Sequence, residues 1–110
     1  MIPIPVKKIE ISHIKEVFAA FPQISVAVLF GSRATKDAHR FSDYDFAIVA
    51  DVDGWEFGRL WVELAHRLGV GEDDIDLVDL KRASRGLKNS IKENYILLKG
   101  SEVELARLLE

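Results

Sequence analysis

The stretch LFGSRATKDAHRFSDYDFAIV, Leu29 to Val49, decides the fold. An apolar run, Ile24 to Phe30, ends abruptly at Gly31-Ser32, and after a polar stretch Ser42 opens a second run in which Asp43 and Asp45 alternate with Tyr44 and Phe46. The pattern predicts strand, Gly-Ser turn, loop and strand, with two carboxylates at the start of the second strand. Residues two apart on a strand share a face and lie about 6.5 Å apart, so Asp43 and Asp45 converge on one small volume. Two anions so close repel unless a positive charge sits between them. A hard divalent cation is the usual solution, and Mg²⁺ held by one or two carboxylates plus substrate phosphates is its commonest form. Gly31 lets backbone approach a ligand closely, and the N–H groups of a following helical turn favour an anion. The stretch therefore reads as a site for a metal-bound polyphosphate.

These residues carry a family resemblance. Gly31-Ser32-Arg33-Ala34 followed by Ser42-Asp43-Tyr44-Asp45-Phe46 resembles the Gly-Ser, Asp-x-Asp signature of the DNA polymerase beta-like nucleotidyltransferase superfamily. More closely, the chain is similar to its minimal nucleotidyltransferase (MNT) members, where GSRARGEA is often followed by SDIDL. Here the corresponding segments are GSRATKDA and SDYDF, and Lys36 stands where the family often has Gly. Ile75-Asp76-Leu77-Val78-Asp79-Leu80 matches the family's third acidic strand, so the resemblance covers nearly the whole chain. Singly, a Gly-Ser turn or a Ser-Asp before an apolar run is common; the order of all the elements together is specific.

The resemblance implies an α/β fold of the polymerase beta palm type, with a mixed sheet, helices mainly on one face and the site at the strand ends. It implies metal ligation and catalysis by Asp43, Asp45 and Asp76, and nucleotide binding by Gly31, Ser32 and Arg33. Two Mg²⁺ ions and ATP or another nucleoside triphosphate are the cofactor and substrate expected. In such two-metal transfers one ion activates the attacking hydroxyl and the other neutralises the triphosphate and leaving group, about 3.5 to 4 Å apart. The activity implied is transfer of an NMP, with AMP the first expectation, onto a hydroxyl. MNT domains are often paired with a HEPN-domain toxin, which they adenylylate on tyrosine. The alternative is a non-catalytic nucleotide-binding or contact antitoxin; retention of three mutually repelling carboxylates favours the enzyme. A small-molecule nucleotidyltransferase is disfavoured because no residues are left for an acceptor domain.

Bulk properties agree. The 110 residues, 48% apolar and 30% charged, suit one globular domain, residues 1–110. Apolar runs are far too short for a membrane span, and the N-terminus lacks a signal-peptide pattern, so a cytoplasmic protein is expected. The absence of Cys removes thiolate catalysis, disulfides and Cys-ligated zinc. A net charge of −3 gives no strong nucleic-acid signal. Lys81, Arg85, Lys88 and Lys92 share a helix face, read first as a solvated surface and second as triphosphate steering or a partner surface. His13, His39 and His66 have no ligand spacing, and neither a P-loop nor a GxGxxG fingerprint is present.

Along the chain, Ser12 is expected to cap a first helix with Ile14, Val17, Phe18 and Phe21 inward. Asp53 and Glu56 predict the start of a second, whose stripe Phe57, Leu60, Trp61, Leu64, Ala65 and Leu68 stops at Gly69. Trp61 is expected to be core, and Trp55 core or helix flank. By its match to the family pattern Asp76 is favoured over its neighbours for the site, with Asp74 and Asp79 as capping or solvent groups. A third helix is expected over Ser84 to Tyr95, a short strand over Ile96 to Leu98, and a last helix opened by Ser101 and Glu104. Leu105, Leu108 and Leu109 either pack on the core or mark a partner or homodimer surface.

Overall fold

The computed structural model describes residues 9–34 and 44–110, without the side chains of Ser32 and Arg33. Four strands form one mixed sheet: β1 (Ile24–Phe30), β2 (Tyr44–Ala50), β3 (Ile75–Asp79) and β4 (Tyr95–Lys99), in the order β3-β2-β1-β4. β1 is antiparallel to both β2 and β4, while β2 and β3 run parallel. The helices are α1 (Ile11–Ala19), α2 (Gly54–Leu68), α3 (Arg85–Glu93) and α4 (Glu102–Leu108). Among the described residues no helix is long and apolar enough to cross a membrane.

β1 is central and apolar on both faces, with six of its seven residues buried, so both faces must be covered. One cluster joins Ile24, Ala27 and Leu29 to Tyr44, Phe46 and Ile48, under Ile14, Val17 and Phe18 of α1 and Leu60, Leu64, Ala65 and Leu68 of α2. The opposite cluster joins Val26, Val28 and Phe30 to Ala47 and Val49, under Leu80, Ile91 of α3, and Leu105 and Leu109 near the C-terminus. The expectation of helices mainly on one face is corrected accordingly. The two longer helices cover one face, and two short ones cover the other, because a central strand without a polar side leaves neither face to solvent. Leu105 and Leu109 are thus core residues of this chain.

Local signals explain most boundaries. Asp53 accepts from the Glu56 N–H at 2.8 Å, and Gly69, at φ +75°, ends α2 in the left-handed conformation. Ser84 and Ser101 cap α3 and α4 through the N–H groups of Leu87 and Glu104, both at 3.1 Å. α1 departs from expectation: it begins at Ile11 and its N-cap is Glu10, without a side-chain cap bond, so Ser12 lies inside the helix. Trp61 is half-buried, its indole N–H donating to the Glu72 carbonyl at 3.1 Å, so the larger share of α2 burial falls to Leu60, Leu64 and Leu68. Trp55 projects from the first turn of α2 and is 72% exposed, which makes it a flank residue.

Candidate active site

β1 delivers its last residue, Phe30, to the edge of the sheet, and the chain then turns through a 3₁₀ segment, Gly31–Ala34. Gly31 has φ +74°, a conformation that L side chains adopt at a cost. A second constraint acts on the same atom, because a Cβ built there would collide with the Asp45 carboxylate. Gly31 is therefore needed both for the turn and for the close approach of an acidic side chain.

Asp45 is the second residue of β2. It pairs with Phe30 across the antiparallel β1–β2 ladder and with Asp76 across the parallel β2–β3 ladder. Its neighbours Tyr44 and Phe46 face the α1–α2 side, so Asp45 points to the other. Asp76 likewise alternates with Ile75 and Leu77, which lie in the α1–α2 cluster. The two carboxylates thus share one face on adjacent strands, whose spacing is about 4.8 Å. Like charges placed opposite one another destabilise a sheet, so this pair costs stability unless something positive joins it.

The row extends further. Phe30 also pairs with Tyr95, the first residue of β4. Asp76, Asp45, Phe30 and Tyr95 therefore lie side by side across all four strands, at the starts of β2, β3 and β4 and the end of β1. The Tyr95 hydroxyl donates to Glu102 Oε2 at 2.5 Å. That hydrogen bond, with some burial and the carboxylate's charge added, holds the phenol pKa above its ordinary value. Sequence reading placed Tyr95 at the end of a helix; the structure opens β4 with it because Asn94 is already extended at φ −151°, ψ 115°. Only strand pairing reveals its neighbours, and no local signal could have done so.

Of the residues expected at the site, the structure brings together Gly31, Asp45 and Asp76. Asp43, and with it Ser42 and Lys36, lies outside the described residues, as do the side chains of Ser32 and Arg33. Asp74 accepts from the Gly71 N–H at 2.9 Å and Asp79 from the Lys81 N–H at 3.1 Å, so of the two roles expected of them, capping or solvent, both take the first. His13 and His66 are exposed. Among the described residues no three His, Cys, Asp or Glu side chains cluster as metal ligands.

Comparison with known proteins places this geometry. A family model described as polymerase beta, nucleotidyltransferase matches residues 12–103. A protein adenylyltransferase, MntA of Shewanella oneidensis, is 42% identical over 64 residues, which are 57% of this chain and 45% of that protein. The match thus spans less than half of that relative's length. A solved toxin-antitoxin structure with AMP-PNP includes a chain 28% identical, with a TM-score of 0.72 over 91% of this chain and 81% of that one. A toxin-antitoxin structure of MntA-HepT gives 25% identity and a TM-score of 0.64 over 90% and 77% of the two chains.

Proposed function

The chain belongs to the polymerase beta nucleotidyltransferase family, and on that premise we propose that it transfers AMP from ATP to a hydroxyl on a HEPN-domain toxin partner, as a cytoplasmic antitoxin. The observation that carries this reading is the pairing of Asp45 with Asp76 on one face, beside a Gly31 turn that a side chain would block. A relative that is a protein adenylyltransferase and structural relatives from toxin-antitoxin complexes, one with AMP-PNP, support the choice of nucleotide and partner.

The donor set fits a hard divalent cation: two carboxylates on adjacent strands with no soft ligand near among the described residues, and a third carboxylate, Asp43, two residues earlier in the sequence than Asp45. Asp43, Asp45 and Asp76 would hold Mg²⁺, which when bound lowers the pKa of the attacking hydroxyl and neutralises charge on the triphosphate. Backbone N–H groups of the Gly31–Ala34 turn, with Ser32 and Arg33, bind the phosphates beyond the reacting one. β3 is an edge strand and Asp76 is exposed, so the acceptor enters from that side. Its oxygen bonds to the α-phosphorus, the bond from that phosphorus to the bridging oxygen breaks, and pyrophosphate leaves. Asp76 orients the hydroxyl and receives its proton.

The test is transfer of label from α-³²P-ATP to the co-expressed partner. Asp45→Asn and Asp76→Asn should each abolish labelling while circular dichroism stays that of the wild type. Labelling retained in both variants would refute the assignment, and partner inhibition that persists without labelling would make the chain a contact antitoxin.

A further inference from the structure

At the far end of the Asp76–Asp45–Phe30–Tyr95 row from the acceptor side, a cleft of about 420 Å³ opens between α3, β4 and α4, lined by Lys92, Tyr95, Glu102, Leu105, Ala106 and Leu109. We propose that this cleft receives the nucleoside end of the triphosphate, with Tyr95 offering its aromatic face to the base and Glu102 accepting from the base's exocyclic amine. The proposal rests on the nucleotidyltransferase reading of the Asp45–Asp76 site and deepens it by naming where specificity for the base resides.

Three observations converge. First, position: Tyr95 is two strands from Asp45 in the same transverse row, about 10 Å away. That separation suits a nucleotide whose phosphates lie at the Gly31 turn and whose base lies over β4. The other direction along the row is taken, since Asp76 and the open edge of β3 face the acceptor.

Second, chemistry: the cleft lining combines apolar side chains, Leu105, Ala106 and Leu109, with the polar groups of Lys92, Tyr95 and Glu102, the composition that nucleobase pockets require. The Tyr95 hydroxyl donates to Glu102 Oε2, which fixes both side chains, and Glu102 makes no second hydrogen bond among the described residues. Its remaining oxygen is an acceptor without a donor, and a carboxylate facing a base edge selects a base that carries an amino group. Third, charge: Lys92 lines the same cleft, so its lining carries a cation along with the Glu102 carboxylate and is not purely acidic toward a nucleotide.

The test separates base from phosphate recognition. Calorimetry is run with ATP, ITP and inorganic tripolyphosphate, each with Mg²⁺, on the wild type, Tyr95→Leu, Glu102→Ala and Asp45→Asn. Tyr95→Leu should weaken ATP by about tenfold or more, the loss expected for one base–aromatic stack, while tripolyphosphate stays within about twofold. ATP should bind the wild type more tightly than ITP, which lacks the 6-amino group, and Glu102→Ala should erase that preference. Glu102 is on the surface, so this variant keeps the test sound even if Tyr95→Leu perturbs packing. Equal loss of ATP and tripolyphosphate, or no loss of either in both cleft variants, overturns the proposal. Tripolyphosphate binding that survives Asp45→Asn would instead refute the underlying site.

Discussion

Gly31→Ala is the substitution in which backbone, packing and site meet. An Ala held at φ +74° costs about 1 to 2 kcal/mol of left-handed strain, and the new methyl must push the Asp45 carboxylate off its rotamer for about 0.5 to 1.5 kcal/mol more. Reduced freedom of the unfolded chain returns about 0.4 to 1 kcal/mol. The net loss is about 1 to 2.5 kcal/mol, a fall in Tm of roughly 4 to 15 °C for a domain of this size. Urea denaturation of wild type, Gly31→Ala, Asp45→Ala and the double variant closes a thermodynamic cycle. Without the carboxylate only the backbone strain remains, so the Gly31→Ala cost should shrink by about 0.5 kcal/mol or more, beyond the additivity error. Gly100→Ala is the control: its φ is +96° and its Cβ would meet the Ser25 carbonyl, at 3.0 Å, and Val26, so its cost should ignore Asp45→Ala. An unchanged Gly31→Ala cost in both backgrounds would refute the claim that the glycine makes room for the acidic side chain.

Other expectations follow from burial, capping and titration. Leu64→Ala, at a fully buried position of α2, should cost about 2 to 5 kcal/mol by chemical denaturation. Trp61→Ala should cost less than the roughly 3 to 5 kcal/mol of a fully buried ring, since the indole is only partly buried; a loss at the top of that range would contradict the burial described. Asp53→Ala removes the α2 cap bond and should lower stability by about 0.5 to 2 kcal/mol, with little effect on nucleotide binding. The folded chain holds the Tyr95 proton more tightly than the unfolded chain does. That contribution is fully present below the ordinary value of 10.0 and is lost as pH rises through the higher folded value. Phenolate absorbance of Tyr44→Phe, which leaves Tyr95 as the one tyrosine, should titrate above 10.0, and Glu102→Ala should bring the midpoint down.

Features encoded over three to seven residues could be read without coordinates. The Asp53 and Ser101 caps, the Gly69 stop and the inward stripes of α1 and α2 each depend on neighbours in sequence, and each stands where it was expected. Where a boundary depended on competition, reading failed. Ser12 was a plausible cap, but the helix starts at Ile11, two residues earlier than a Ser12 cap would place it, and Tyr95 went to a strand because β1 offered it a partner. Trp61 carries the apolar period of α2, yet periodicity cannot say how far a ring at the edge of a stripe is covered.

The sequence by itself determined that two alternating aspartates follow a Gly-Ser turn, that a third acidic strand comes later, and therefore which chemistry the chain is built to support. Strand parity follows from the period of two and sets Asp76 and Asp79 on opposite faces; the preference for Asp76 came from the match to the family's third acidic strand. What only the tertiary structure decided was adjacency. That Asp76 lies opposite Asp45, that Gly31 sits against the carboxylate, and that Tyr95 closes the same row depends on the strand order β3-β2-β1-β4 and its register. Register is set by burial of both sheet faces at once, and that cooperative property resides in no single segment.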